Sequence, residues 1–172
     1  NSIWLHIVRT TETVQEAADA MAGTPWGRCL AKLEGEPPLQ EMEDSLDRQY
    51  FANSLVAARG ADASPQLLRY LRTEIDHRNI VNQFRAQKQN LSVETRVNLN
   101  IPGGRIGEAT LRAATQVDSE EALLDALRRS NAFDDSGFEE AMQESAKRGT
   151  FDPLVNLLRN QRLKMLKRFS HL

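Results

Sequence analysis

Cysteine is almost missing from this chain. Cys29 stands alone among 172 residues, which excludes a disulfide framework and any zinc site built on clustered cysteines. A buried free thiol is the expected state of Cys29, as in a reducing compartment. Long apolar runs are lacking too: hydrophobic residues make up 40% of the chain, yet no segment approaches the ~20 residues needed to cross a bilayer. Excess charge of one sign is also absent. With 22 basic and 24 acidic side chains the formal net charge is −2, against the broad basic surplus that drives nucleic-acid binding. The first ten residues have neither the basic and apolar regions of a signal peptide nor an initiator Met. The expectation is a chain processed or cut from something longer.

What the chain does contain is helical punctuation. Thr13 followed by Glu16 is a capping box, opening a helix to about Ala22. Gly23-Thr24-Pro25 stops it, and a short helix is predicted from Trp26 to Leu33 before a linker at 34–38. From Leu39 the apolar residues Leu39, Met42, Leu46, Tyr50 and Ala57 fall within about 80° of one another at 100° per residue, predicting a long helix buried on that face and ended by Gly60. Ser64-Pro65 supplies a hydroxyl cap and a first-turn proline for a helix to about Lys88. Further helices are predicted at 106–115, after an Asp118/Glu121 capping box with Leu123, Leu124 and Leu127 inward, around 138–147, and from Asp152-Pro153 to the end, with Asn131–Ser136 as loop.

One stretch reads differently. Leu91, Val93, Thr95, Val97, Leu99 and Ile101 alternate with polar residues, the period of a strand buried on one face. No second strand is available to pair with it, so an extended connector near 91–101 is expected in an otherwise all-α fold.

An internal repeat is visible in outline. Asp19-Ala20-Met21, Thr24 and Trp26 match Asp125-Ala126-Leu127, Ser130 and Phe133, and Pro38-Leu39 with Met42 matches Pro153-Leu154 with Leu157. Repeated helical modules usually build surfaces that grip other proteins.

Catalytic chemistry finds little support. His6, His77 and His171 are scattered without ligand spacing, and Asp76 and His77 are adjacent on a helix, pointing about 100° apart. Gly103-Gly104-Arg105-Ile106-Gly107 lacks the G-x-G-x-x-G order and a surrounding βαβ unit, so it reads as a tight turn, and no Walker A sequence exists. Glu41, Glu43, Asp44, Asp47 and Arg48 read as solvated helix charges. More informative are Asn79 and Asn82. Both lie within the apolar stripe of Leu68, Leu71 and Ile75, where unbonded amides would cost roughly 1–3 kcal/mol each. They are expected to satisfy backbone groups of crossing elements, or else to line a pocket. A small-molecule enzyme or nucleotide binder would need a deep polar pocket around Asp76, Asn79, Asn82 and Gly103. Charge is also segregated: residues 34–47 hold six acidic groups and no basic one, whereas 147–172 hold seven basic groups and one acidic. The basic terminal helix reads as a solvated face or as a contact for an acidic partner, anionic headgroups or nucleic acid.

Three segments carry a likeness to a known family: Leu46-Asp47-Arg48-Gln49-Tyr50-Phe51, the run from Tyr70 to Arg85 with Glu74-Ile75-Asp76, Arg78-Asn79 and Arg85, and the turn Ile101-Pro102-Gly103-Gly104. In this order they resemble the C-subunit family of the archaeal A-type ATP synthases, whose counterpart in the V-type proton pumps is the d-subunit, from about residue 10 onward. The resemblance implies an all-helical fold of similar modules around a funnel-shaped cavity, without catalysis, cofactor or metal. It implies a peripheral place on the cytoplasmic face of the membrane, between the central-shaft subunits and the membrane rotor ring, and no specific nucleic acid. The stripe and the motifs together mark Asp47, Arg48, Tyr50, Asp76, Asn79, Asn82, Arg85, Gly103 and Gly104 as structural or interaction residues. The expected organisation is a first module at 1–60, incomplete at its start, and a second at 61–172, both portions of a longer protein. A helical protein-binding adaptor outside the rotary ATPases is the alternative reading.

Overall fold

Side-chain caps set five of the ten described helix starts. The computed structural model describes residues 2–33, 37–60 and 64–169, so residues 34–36 of the predicted linker lie outside the described residues. Thr13 and Glu16 form the capping box that opens α2 (Val14–Ala20), Thr24 caps α3 (Pro25–Leu30), and Ser64 with Pro65 opens α5 (Pro65–Lys88). The other helices are α1 (Ser2–Thr10), α4 (Leu39–Ala57), α6 (Val93–Asn98), α7 (Glu108–Thr115), α8 (Glu120–Arg128), α9 (Phe138–Arg148) and α10 (Asp152–Phe169). Among the described residues there is no strand, and the all-α expectation holds.

Two compact units divide the chain, residues 1–53 and 54–172. In the first, Ala18, Cys29, Leu30 and Met42 form a small core with Met21, Leu33 and Leu46 against it, and the thiol of Cys29 is free and buried. In the second, α10 packs on α9 and α5, α7 packs on α8, and α6 touches α5 and α7. Its core gathers Ile80, Phe84, Ile106, Leu111, Leu123, Leu127, Phe138, Leu154 and Leu158. Phe138 is its centre, with ring centroids 5.5 Å from Phe84 and 5.3 Å from Phe133. The order helix, turn, short helix, long helix occurs in α2–α4 and again in α8–α10, although Trp26 lies inside α3 whereas Phe133 lies in the loop before α9.

Four sequence expectations need correction. The segment 91–101 is not extended: Ser92 Oγ accepts from the Thr95 amide and starts α6. Its alternation misled because Val93 and Val97 face outward while the buried residue of α6 is a cation, Arg96; of the apolar set only Ile101, beyond the helix, is buried. The stripe assigned to α4 is also wrong, since Leu39 is 62% exposed, Tyr50 46% exposed, and Ala57 is exposed. Met42 is buried near one end of α4, and Phe51, Leu55 and Ala58 toward the other. Taking Met42 as zero, the latter three fall at about 180°, −140° and 160°. The helix therefore buries opposite faces at its two ends, and no single stripe describes it. Helix α8 is capped by Ser119, whose Oγ accepts from Ala122, one residue later than the predicted cap at Asp118. Finally, α1 lies where no element was expected.

Candidate functional site

The polar residues of α5 form a stripe of their own. Arg72, Asp76, Asn79 and Gln83 are spaced four, three and four apart, which puts them within about 60° on one side of the helix. That side faces the segment 96–106, the end of α6 and the irregular backbone that follows it, rich in groups that helix or sheet bonding does not satisfy. Each member of the stripe meets a different part of it.

Asn79, with no exposed surface, receives the Ile101 N–H on Oδ1 at 2.7 Å and donates Nδ2 to the Ile101 carbonyl at 2.9 Å. Gln83 donates Nε2 to the Arg96 carbonyl at 2.7 Å and to Asn100 Oδ1 at 3.0 Å, and its Oε1 accepts from Arg96 Nε. Asp76, 2% exposed, accepts the Arg105 amide on both oxygens at 2.9 Å and the Ile106 amide at 3.0 Å. Arg72 reaches the far end of the turn, donating Nη2 to the Gly104 carbonyl at 2.8 Å and Nε to Gly103 and Gly104. Asn82 adds a long contact, 3.5 Å, to the Leu99 carbonyl.

The turn itself is shaped by its glycines. Gly103 has φ of +99°, a conformation that L side chains rarely adopt, and a Cβ there would overlap Leu55. At Gly104 a Cβ would overlap the Asp76 carboxylate. A hydrogen in place of a methyl is what lets the backbone come down onto that carboxylate. On the other side of α6, Arg96 passes through the interior and donates to the Ala114 and Val117 carbonyls, each at 2.9 Å. It thereby satisfies the Ala114 carbonyl in the last turn of α7 and the Val117 carbonyl just beyond it, and places positive charge at that helix's negative pole.

Burial dominates the ionisation of the two neighbours at the middle of the stripe. Desolvation pushes the Asp76 carboxyl up to about 6, opposed by the Ile106 and Arg105 amides and the charges of Arg105 and Arg72. Desolvation also drives His77 down to about 3, helped by the Arg162 guanidinium and opposed by a backbone hydrogen bond with Leu158 and the charge of Asp134. Arg162 Nη1 lies 2.9 Å from His77 Nδ1. A guanidinium only donates, so Nδ1 accepts and the ring is the neutral Nε2–H tautomer.

The predicted site residues thus separate by role. Asp76, Asn79, Gly103 and Gly104 belong to one buttress holding the turn, and Asn82 sits at its margin. Arg85 is exposed on α5 and lines a different cleft with Arg78 and Arg162. Asp47, Arg48 and Tyr50 belong to the first unit, where Asp47 and Arg48 are half-buried and Tyr50 stands edge-on to Phe51 at 5.1 Å. Asp76, Asn82 and Gly103 line three separate clefts, and Asn79 lines none of them. Arg72, Gln83 and Arg96 escaped the sequence reading. The signal for the first two was the spacing of polar residues at 72, 76, 79 and 83. Among the described residues no group of three or more His, Cys, Asp or Glu side chains is placed to hold a metal, and no helix is long and apolar enough to cross a membrane.

A family model described as ATP synthase (C/AC39) subunit matches residues 5–172. The chain belongs to that family. Relatives of the family with similar sequence include the A-type ATP synthase C-subunit of Halobacterium salinarum, 29% identical over 143 residues, covering 78% of this chain and 40% of the relative. The C-subunit of the Haloquadratum walsbyi A-type ATP synthase is 29% identical over 129 residues, 72% of this chain and 37% of the relative. That of Desulfurococcus sp. is 30% identical over 120 residues, 68% of this chain and 33% of the relative. The matches therefore span about two fifths or less of the relatives' length. No solved structure matches.

Proposed function

We propose that the chain serves as part of a non-catalytic central-stalk component of an A-type ATP synthase, joining the rotary shaft to the membrane rotor ring. The observation that carries this reading is the family match across residues 5–172. The chemistry of α5 supports it. The polar contacts of the stripe are all spent within the protein, most of them on its own backbone and those of Gln83 also on the side chains of Asn100 and Arg96, and a torque-bearing part needs connections between its helices that do not slip. Side chains that pair with main-chain groups fix the register of the turn against α5 more tightly than apolar packing alone, because each unmade bond leaves a buried group unsatisfied. In this reading the partners are the shaft subunits and the ring, and the chain is peripheral on the cytoplasmic face.

The test is assembly. The chain, tagged within its full reading frame, is expected to co-purify with shaft subunits and the rotor ring from mildly solubilised membranes, and ATP-driven ion pumping is expected to collapse without it. Isolation as a stable free protein with affinity for neither would overturn the reading.

A further inference from the structure

A cleft of about 440 Å³ opens in the second unit between the first half of α5, the loop after α8 and the second half of α10. Four cationic side chains from three elements line it: Arg69 of α5, Arg105 of the turn, and Lys164 and Arg168 of α10. Only two carboxylates, Asp76 and Asp134, line it with them. Asp76 is turned onto the Arg105 and Ile106 amides, and Asp134 accepts from the Ser136 amide in the field of Lys164. Among the described residues none of the four cations forms a salt bridge. The chain as a whole is slightly acidic, so this is a local concentration of positive charge in a concave site, where low-dielectric walls focus the field. Half-buried Phe133, Leu157 and Met165 give it an apolar part of its lining.

The arrangement is poorly suited to a phosphate group. Arg and Lys bind phosphate too, but compact phosphate sites commonly add convergent backbone N–H groups or a helix N-terminus to their cations. Here the amides of Arg105 and Ile106 are taken by Asp76, and α10 presents the half nearer its negative dipole end. Cations from three elements lining one cleft together with apolar side chains instead complement carboxylates spaced along a chain with an apolar side chain between them.

We propose that this cleft receives an acidic segment of a partner protein, its carboxylates on Arg69, Arg105, Lys164 and Arg168 and an apolar side chain against Phe133, Leu157 and Met165. The proposal holds whether or not the coupling role does. It is tested with a fluorescein-labelled peptide of Glu-Glu-Leu-Gly repeats, titrated with the purified chain and read by anisotropy. The peptide is expected to bind and to be released by salt. Versions with Gln for Glu are expected to lose binding, and those with Ser for Leu to weaken it. The triple variant Arg69→Gln, Lys164→Gln, Arg168→Gln, checked for fold by circular dichroism, is expected to lose affinity by about tenfold or more. The triple variant Lys147→Gln, Arg148→Gln, Arg159→Gln removes equal charge elsewhere and is expected to bind normally. Absence of binding, an equal loss in both triple variants, or competition by inorganic phosphate as strong as by unlabelled peptide would each overturn the proposal.

Discussion

Asn79 and Ile101 exchange two hydrogen bonds, side chain to main chain, at 2.7 and 2.9 Å in a site with no solvent exposure for the asparagine. The pair does what two bonded strand residues do, with an amide side chain standing in for one backbone. Asn79→Ala leaves a buried N–H and a buried C=O without partners, at roughly 1–3 kcal/mol each. A loss of about 2–5 kcal/mol is expected in urea denaturation. Asn82→Ala, which gives up one marginal half-buried contact, is expected to cost less than about 1 kcal/mol. Equal effects of the two would contradict the assignment of Asn79 as the principal tie.

Gly104 tests the closeness of the turn to α5. A methyl at this position overlaps Asp76 Oδ1, whereas a methyl at Gly23 meets nothing within 4 Å. Gly104→Ala must push the carboxylate off its amides, and overpacking of this kind costs about 1–3 kcal/mol before any lost hydrogen bond. Gly23→Ala is expected to change stability by no more than about 0.5 kcal/mol. Thermal melts of the two variants side by side decide the matter.

Arg96 ties α6 to the end of α7 through two carbonyls. Arg96→Met keeps much of the volume but strands the Ala114 carbonyl and the Gln83 Oε1 acceptor, while the Val117 carbonyl keeps Gln87 Nε2. A loss of about 2–4 kcal/mol is expected, from one to two unsatisfied buried groups. Arg96→Lys is expected to rescue only part, since an ammonium lacks the planar fork that reaches both carbonyls. Hydrogen exchange should report faster opening in α6 and the last turn of α7 than elsewhere.

Local signals in the chain were legible where the information is local. The Thr13/Glu16 box, the Ser64-Pro65 start and the end of α5 at Lys88 are decided by residues a few positions apart, and the structure has them where the sequence places them. The α8 cap, one residue off at Ser119, and α1 were missed locally, but the larger failures depended on partners far along the chain. Val93 and Val97 look inward-facing by alternation, yet Arg96 takes the interior because carbonyls 18 and 21 residues away require its donors. In α4 the buried face changes from Met42 to Leu55, which a single stripe averages into the wrong one. The site was half readable. Two asparagines on an apolar face had to be satisfied somewhere, but the acceptors and donors belong to a turn about 20 residues downstream.

The adjacent residues Asp76 and His77 give stability opposite dependences on pH. Asp76 binds its proton more tightly folded, at about 6 against 3.8, so its contribution falls as pH rises from about 4 to 6. His77 binds its proton less tightly folded, at about 3 against 6.5, so its contribution is present above 6.5 and is lost as pH falls toward 3. Each slope is about 1.4 kcal/mol per pH unit in its window, and between pH 4.5 and 6 they largely cancel. The groups facing the pair are Arg72 and Arg105 at Asp76, and Arg162 and Asp134 at His77. Asp134 and Glu144, both held below their ordinary values, act chiefly at lower pH. The parent chain is therefore expected to show a nearly flat urea midpoint from pH 4.5 to 6. His77→Gln should become less stable with rising pH across this window, and Asp76→Asn more stable. Slopes of the same sign in the two variants would show that burial does not govern both groups.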